Sequence, residues 1–292
     1  MTILSIVIFL LINVSSDPIS NFSKPATPPK YFAIDIDGTF HIKDESKFKK
    51  NVEAFKRLKQ NNITPFFCTA RDTFCVKKLL GDSFSNESGY NFYPGVYSNG
   101  TLVYDSDGNL ISELKFEDTL LEKFIQYFED NGLKDKTMYL TKDGFLSLEE
   151  FFDDGKKILD NLKYEAPTKI TKGELKQKDV VSIDVFKIGL TNCDFINQVY
   201  SIEFSKEGHT QITPSECNKK AGLAKLLENL GSNETECAFI GDNLNDIEAM
   251  EYCSISFAVG DAVDEAKNKA KWLLDLNHDD CAFEKAANLL VD

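Results

Sequence analysis

Tyr31-Phe32-Ala33-Ile34-Asp35-Ile36-Asp37-Gly38-Thr39-Phe40 decides how the rest of the 292-residue chain is read. The short apolar run predicts a strand, and it ends in two acids one residue apart. Alternate side chains of a strand leave on one face, so Asp35 and Asp37 project together from its carboxyl end. Two carboxylates held that close repel unless a cation lies between them or one keeps its proton. Gly38 lets the following backbone approach an anion closely. The stretch suits a divalent metal and a phosphoryl group. Taken alone, it also fits a solvated acidic turn after an edge strand.

Outward from it, Phe48, Val52, Phe55 and Leu58 fall at helical spacing and predict a helix from Lys47 to Gln60. Ile63–Cys68 is the next expected strand, ending in Thr69-Ala70-Arg71-Asp72. A hydroxyl and a guanidinium at a strand end suit an anion; alternatively Asp72 caps a helix over 72–80 and Arg71 is surface. A strand end follows at 95–100, then a hairpin around Ser106-Asp107-Gly108. This alternation implies a parallel sheet with crossover helices. From 113 the rhythm changes to a helix at 116–131, short strands near 137–141 and 145–148, and a helix at 148–162. A strand over 180–190, a helix over 192–204 and a strand near 209–213 follow. Residues 113–206 are thus expected to form a separate α+β insert. It has no compact cluster of catalytic residue types, so its expected work is to cover the site and choose the substrate.

Lys219 falls in the first turn of the next helix. A cation is electrostatically out of place there, because the amino-terminal end of a helix favours anions. It is either solvated surface or part of an anion site. Cys237–Gly241 predicts a strand, followed by Asp242-Asn243-Leu244-Asn245-Asp246. One acid on the strand end and one on the first helical turn can face the same hard cation, which suits Mg²⁺; the bland reading is a capping Asp and an acidic first turn. A last core strand lies at 254–260. All these acids, with Thr69 and Lys219, fall at carboxyl ends of expected parallel strands or at adjoining helix starts. That edge is where open α/β sheets bind ligands.

Composition narrows the classes. A net charge of -14 argues against nucleic acid, whose phosphates need basic stripes. An anionic substrate would need a local positive pocket. The seven cysteines form no CxxC pair, which points to buried free thiols. Residues 3–14 are almost wholly apolar and too short to span a bilayer. With Val14-Ser15-Ser16 after them they suggest a secretory signal over 1–16, although the run lacks a Lys or Arg before it. An uncleaved anchor and a buried strand are the alternatives. Residues 17–30 then form a flexible lead-in. On this reading the chain enters the secretory pathway, with no stable membrane insertion after cleavage; without a signal it is cytoplasmic.

The order Asp35-x-Asp37-Gly38-Thr39, Thr69-x-Arg71, Lys219 and Gly241-Asp242-x-x-Asn245-Asp246 resembles the haloacid dehalogenase superfamily. Asn99-Gly100 after a strand, the insert, and Ala258-Val259-Gly260-Asp261-Ala262 look like its Cof-type sugar-phosphatase branch with a C2B cap. The likeness spans about residues 30–290 and implies an α/β fold. That fold is a Rossmann-like parallel-sheet core over 31–112 and 207–292, with an inserted α+β cap over 113–206. Three departures stand out: Ala70 where Gly is commoner, Lys220 after Lys219 in place of Gly, and Cys281 where such chains usually carry Gly. The resemblance implies an Mg²⁺-dependent phosphatase for small phosphorylated metabolites, such as sugar phosphates. Asp35 would be the nucleophile and Asp37 the acid and base. Asp35, the Asp37 carbonyl and Asp242 would hold Mg²⁺, with Asp246 supporting. Thr69 and the Gly38 amide would grip phosphoryl oxygens, Lys219 would offset charge, and Ala70, Arg71 and Asn245 would help bind the phosphate. The acid at Asp37 favours phosphate ester chemistry over dehalogenation. A phosphomutase of similar cap type, or a secreted interaction protein with a relic site, are the competing readings.

Overall fold

The computed structural model describes residues 16–187, 189–204 and 208–292. Five parallel strands carry the core. Tyr31–Ile34 lies between Cys237–Gly241 and Thr64–Phe67, and Ile255–Ala258 and Trp272–Leu273 extend the sheet beyond Cys237–Gly241. Ile34 is in register with both Ile240 and Phe67. Asp35 therefore leaves the sheet between Gly241-Asp242 on one side and Cys68-Thr69 on the other. Both faces of the strand are covered, so Phe32, Ala33 and Ile34 are all fully buried, as an apolar run in a helix-covered parallel sheet should be.

A single wide turn over Ile36–Phe40 follows, broken by Gly38 at φ +73°. It drives Phe40 into the core, where its ring meets those of Phe48, Phe55, Phe67, Phe84 and Phe283 at centroid distances of 5.0 to 5.8 Å. Asp44 then caps the helix Glu45–Gln60 by accepting from the amides of Ser46 and Lys47. Val52, Ala54, Phe55 and Leu58 form its buried side.

The inserted domain has its own mixed sheet, in the order Val199–Phe204, His209–Pro214, Ser182–Val185, Thr137–Thr141, Gly144–Ser147, Thr168–Lys169. Strand alternation splits its two faces. Tyr139, Ile183, Val185 and Ile212 pack outward with Phe124 and Phe128 of the helix Asp118–Asp130. Met138, Leu140 and Phe145 face the other way and join the apolar cluster of the main domain.

Four sequence expectations change. The segment expected as a helix over 192–204 is a strand, Val199–Phe204, because pairing along His209–Pro214 satisfies its backbone. His209–Pro214 in turn belongs to the insert's sheet, so that sheet runs past the expected boundary at 206. The helix expected to stop at Gly81 resumes beyond a kink there and ends at Ser88. The lead-in 17–30 does not hang free at its start. Asp17–Pro18 pairs with Trp272–Leu273, Ile19 is buried, and the Phe22 ring packs on Phe257 and Trp272. The apolar run read as a signal lies outside the described residues. Among the described residues no helix is long and apolar enough to cross a membrane. All seven cysteines are buried and free, as expected.

Phe40 ties the turn after the first strand to the core. Phe40→Ala should lower stability by about 3–5 kcal/mol, measured as a shift of the urea midpoint. A shift near zero would show that the turn is held by its backbone alone.

Candidate active site

The sheet register brings four carboxylates and two cations to one edge. Lys219, in the first turn of the helix Lys219–Asn229, is 1 % exposed. Its Nζ lies 2.6 Å from Asp35 Oδ1 and 2.6 Å from Asp246 Oδ1. The second oxygen of Asp246 accepts the backbone N–H groups of Asp242 and Asn243, each at 3.0 Å. Asp246 thus has both oxygens engaged. Asp242 accepts from the Thr39 hydroxyl at 3.2 Å. Its carboxylate also lies where a side chain on Gly38 would have to go, and that of Asp246 does the same at Gly241, so only glycine fits either place.

Oxygens of Asp35, Asp242 and Asp246 come within 4.8 Å of one another. Those three acids with Lys219 sum to a formal charge of -2, the deficit that one divalent cation with oxygen ligands would fill. The electrostatics express the same deficit. Burial raises Asp35 to about 7 against the pull of Lys219. Burial, then Asp35 and Asp246, push Asp242 well above the usual carboxylate range. Lys219 would be lowered by burial, but Asp246 and Asp35 outweigh it and hold it charged. The residues present therefore fit a hard divalent ion.

Asp37 faces away from this cluster. Its two oxygens take Arg71 Nε at 2.5 Å and Nη2 at 2.7 Å. Against the desolvation that opposes ionisation, the Arg71 guanidinium holds Asp37 below its usual range. Asp37 keeps 53 % of its side-chain surface exposed, so it is the acid open to an incoming group. Arg71 reaches on to the insert, donating to the Leu162 carbonyl at 2.5 Å and lying over the Tyr164 ring. Thr69, 1 % exposed, accepts the Arg71 N–H at 3.2 Å and leaves its own hydroxyl proton free to donate.

Asn245 donates to Asn99 Oδ1 at 2.9 Å, and Asn99 donates to Gln211 of the insert. Ala70 takes part through its carbonyl, which accepts from Gln211 Nε2 at 3.3 Å. The expected site residues thus converge, except that the Asp37 carboxylate joins Arg71 rather than the acid cluster. Gln211, Leu162 and Tyr164 escaped the sequence reading, and Thr39 and Asn99 entered it only as motif positions without a role. A glutamine beside the apolar Ile212 in an expected strand, and so on the opposite face from it, was the available signal for Gln211. The site is thus built on a parallel-sheet edge covered by an inserted domain.

A profile of the haloacid dehalogenase-like hydrolase family matches residues 32–284, and the chain belongs to that family. It is a phosphoric monoester hydrolase of that family, since the curated relatives are named phosphatases. The chain is 26 % identical to a Bacillus subtilis 5-amino-6-(5-phospho-D-ribitylamino)uracil phosphatase over 283 residues, 85 % of this chain and 93 % of the relative. It is 24 % identical to a Klebsiella pneumoniae HMP-PP phosphatase, over 90 % of this chain and 94 % of that one. Among solved structures, a HAD/COF-like hydrolase from Plasmodium vivax superposes with a TM-score of 0.78 at 23 % identity, covering 91 % and 96 % of the two chains. A HAD subclass IIB sugar phosphatase gives 0.77 at 18 %, covering 89 % and 98 %. These two structures establish the shared fold.

The raised acids fix the sign of a pH effect. Between an unfolded value of 3.8 and a folded value of about 7 for Asp35, the native state binds more protons than the unfolded chain. Cation-free protein should therefore lose stability as pH rises through that window. Urea midpoints in chelator across it, compared with Asp242→Asn, provide the check. Asp242→Asn should be the more stable of the two at neutral pH; a less stable variant would show that Asp242 does not repel its neighbours.

Proposed function

We propose that the chain is an Mg²⁺-dependent phosphatase that hydrolyses small phosphorylated metabolites, sugar phosphates among them, through an aspartyl-phosphate on Asp35. The observation that carries this reading is the convergence of Asp35 and Asp242 beside a buried, charged Lys219. A carboxylate nucleophile needs a neighbouring positive charge when a phosphoryl group arrives, and covalent capture splits one hard displacement into two. The curated relatives, named for a phosphoribitylamino-uracil and for HMP-PP, support a small phosphorylated substrate.

In this reading Asp35 attacks phosphorus and the bond to the leaving oxygen breaks. Asp37, once turned from Arg71, protonates that oxygen and then takes a proton from a water that attacks phosphorus as the bond to Asp35 breaks, which frees phosphate and restores the Asp35 carboxylate. The Thr69 hydroxyl and the Gly38 amide hold phosphoryl oxygens. Arg71, the Ala70 segment and Asn245 line the same space. Lys219 offsets charge and restrains Asp35. Asp35, Asp242 and the Asp37 carbonyl would hold Mg²⁺, with Asp246 steadying the loop from behind because both its oxygens are already engaged. When bound, the ion would supply charge neutralisation at the phosphoryl oxygens; the chain supplies position, and phosphoryl transfer depends on both.

Wild-type protein should release phosphate from p-nitrophenyl phosphate with Mg²⁺ and stop in chelator. Asp35→Asn should fall to background, and Asp37→Asn should lose roughly 10²–10⁴ in rate, the usual contribution of a general acid–base group. Equal release from wild type and Asp35→Asn would remove Asp35 as the nucleophile. No release from wild type would overturn the reading itself.

A further inference from the structure

Gln211 lies on the strand His209–Pro214 of the insert and is 3 % exposed. Ile212 turns into the insert's outer core, so Gln211 is on the face toward the main domain. There it joins two loops of the site. Its Oε1 accepts from Asn99 Nδ2, and its Nε2 donates to the Ala70 carbonyl at 3.3 Å. Asn99, fully buried at φ +54°, accepts with its own Oδ1 from Asn245 Nδ2 at 2.9 Å. Three carboxamides thus form a chain with one direction, from Asn245 through Asn99 and Gln211 to a backbone carbonyl.

That direction leaves each amide one orientation. Rotating Gln211 end over end would set N–H against N–H at Asn99 and oxygen against oxygen at Ala70. Asp184 Oδ1, 3.4 Å from Nε2, adds a second acceptor at the same end. A buried amide with both ends committed fixes its neighbours, because a mismatched buried donor or acceptor costs about 1–3 kcal/mol. Asn245 stands between Asp242 and Asp246 in sequence, on the loop that carries the acid cluster.

We propose that Gln211 is a positioning residue: when the insert docks on the core, its carboxamide orients Asn99 and, through Asn99, holds Asn245 beside the phosphoryl site. The inference rests on the phosphatase reading for its catalytic consequence only; the orienting effect stands apart from it. Gln211 acts through Asn99 and reaches no reacting atom, so its removal impairs turnover even with a phosphate donor too small to touch the insert.

The test compares Gln211→Met, which keeps the side-chain length, with wild type. Acetyl phosphate serves as the small donor with Mg²⁺ present. The variant should lose roughly tenfold or more in kcat while KM stays within about twofold, the pattern of a lost transition-state interaction. Backbone hydrogen exchange should quicken in residues 97–101 and 241–247 and stay unchanged in 31–34. A change in KM alone, or unchanged kcat, would overturn the catalytic half; unchanged exchange in both loops would overturn the orienting half. If wild type itself releases no phosphate, the phosphatase reading fails and the exchange comparison alone decides the inference.

Discussion

A single ammonium holds the site together. Lys219 Nζ sits between Asp35 and Asp246 with its side chain fully buried. Breaking such a buried pair by removing one partner leaves an uncompensated charge and costs about 3–5 kcal/mol. The lysine therefore fixes more than the electrostatics of one acid. Through Asp35 it holds the end of the central strand, and through Asp246 the loop after Cys237–Gly241. Asp246 passes that restraint on by accepting the amides of Asp242 and Asn243. Two strand ends and a helix start are tied at one point, and the sheet register sets where that point lies.

The arrangement is balanced short of neutrality on one side and neutral on the other. Asp37 and Arg71 cancel each other at the open rim. Asp35, Asp242 and Asp246 exceed Lys219 at the buried floor. The surplus negative charge collects on the buried side of the site, and the cancelled pair stands at its open side. A chain with a net charge of -14 thus keeps its cationic groups of the site close in, next to the acids they serve.

Much of this was legible in the sequence. Asp35, Asp242 and Lys219 were readable because each sits at an abrupt end of an apolar strand or at a helix start, places where side-chain direction follows from backbone geometry. The insert was legible as a change of rhythm, but its edges were not. Val199–Phe204 has apolar residues that fit helical spacing nearly as well as strand alternation, and only its pairing with His209–Pro214 decides between them. The strand at 209–213 was legible as the close of the insert, but its pairing was not, so the contact of Gln211 with Asn99 went unread. Asp17–Pro18 was missed for a different reason: buried Ile19 and half-buried Phe22 outweigh a composition of Pro and Ser. Cys281 shows the reverse case. The departure from glycine noted in the sequence falls on a backbone at φ +65°, a conformation that costs an ordinary residue roughly 1 kcal/mol.

Every thiol of this chain lies inside the folded protein. Alkylating reagents and oxidants act on exposed thiolates, so the native molecule presents them with almost no target. The folded chain accordingly shields its thiols from reagents in the surrounding solution. Labelling of cysteine becomes a gauge of opening instead: Cys68 and Cys237 beside the central strand report loss of the core, and Cys193 reports loosening of the insert.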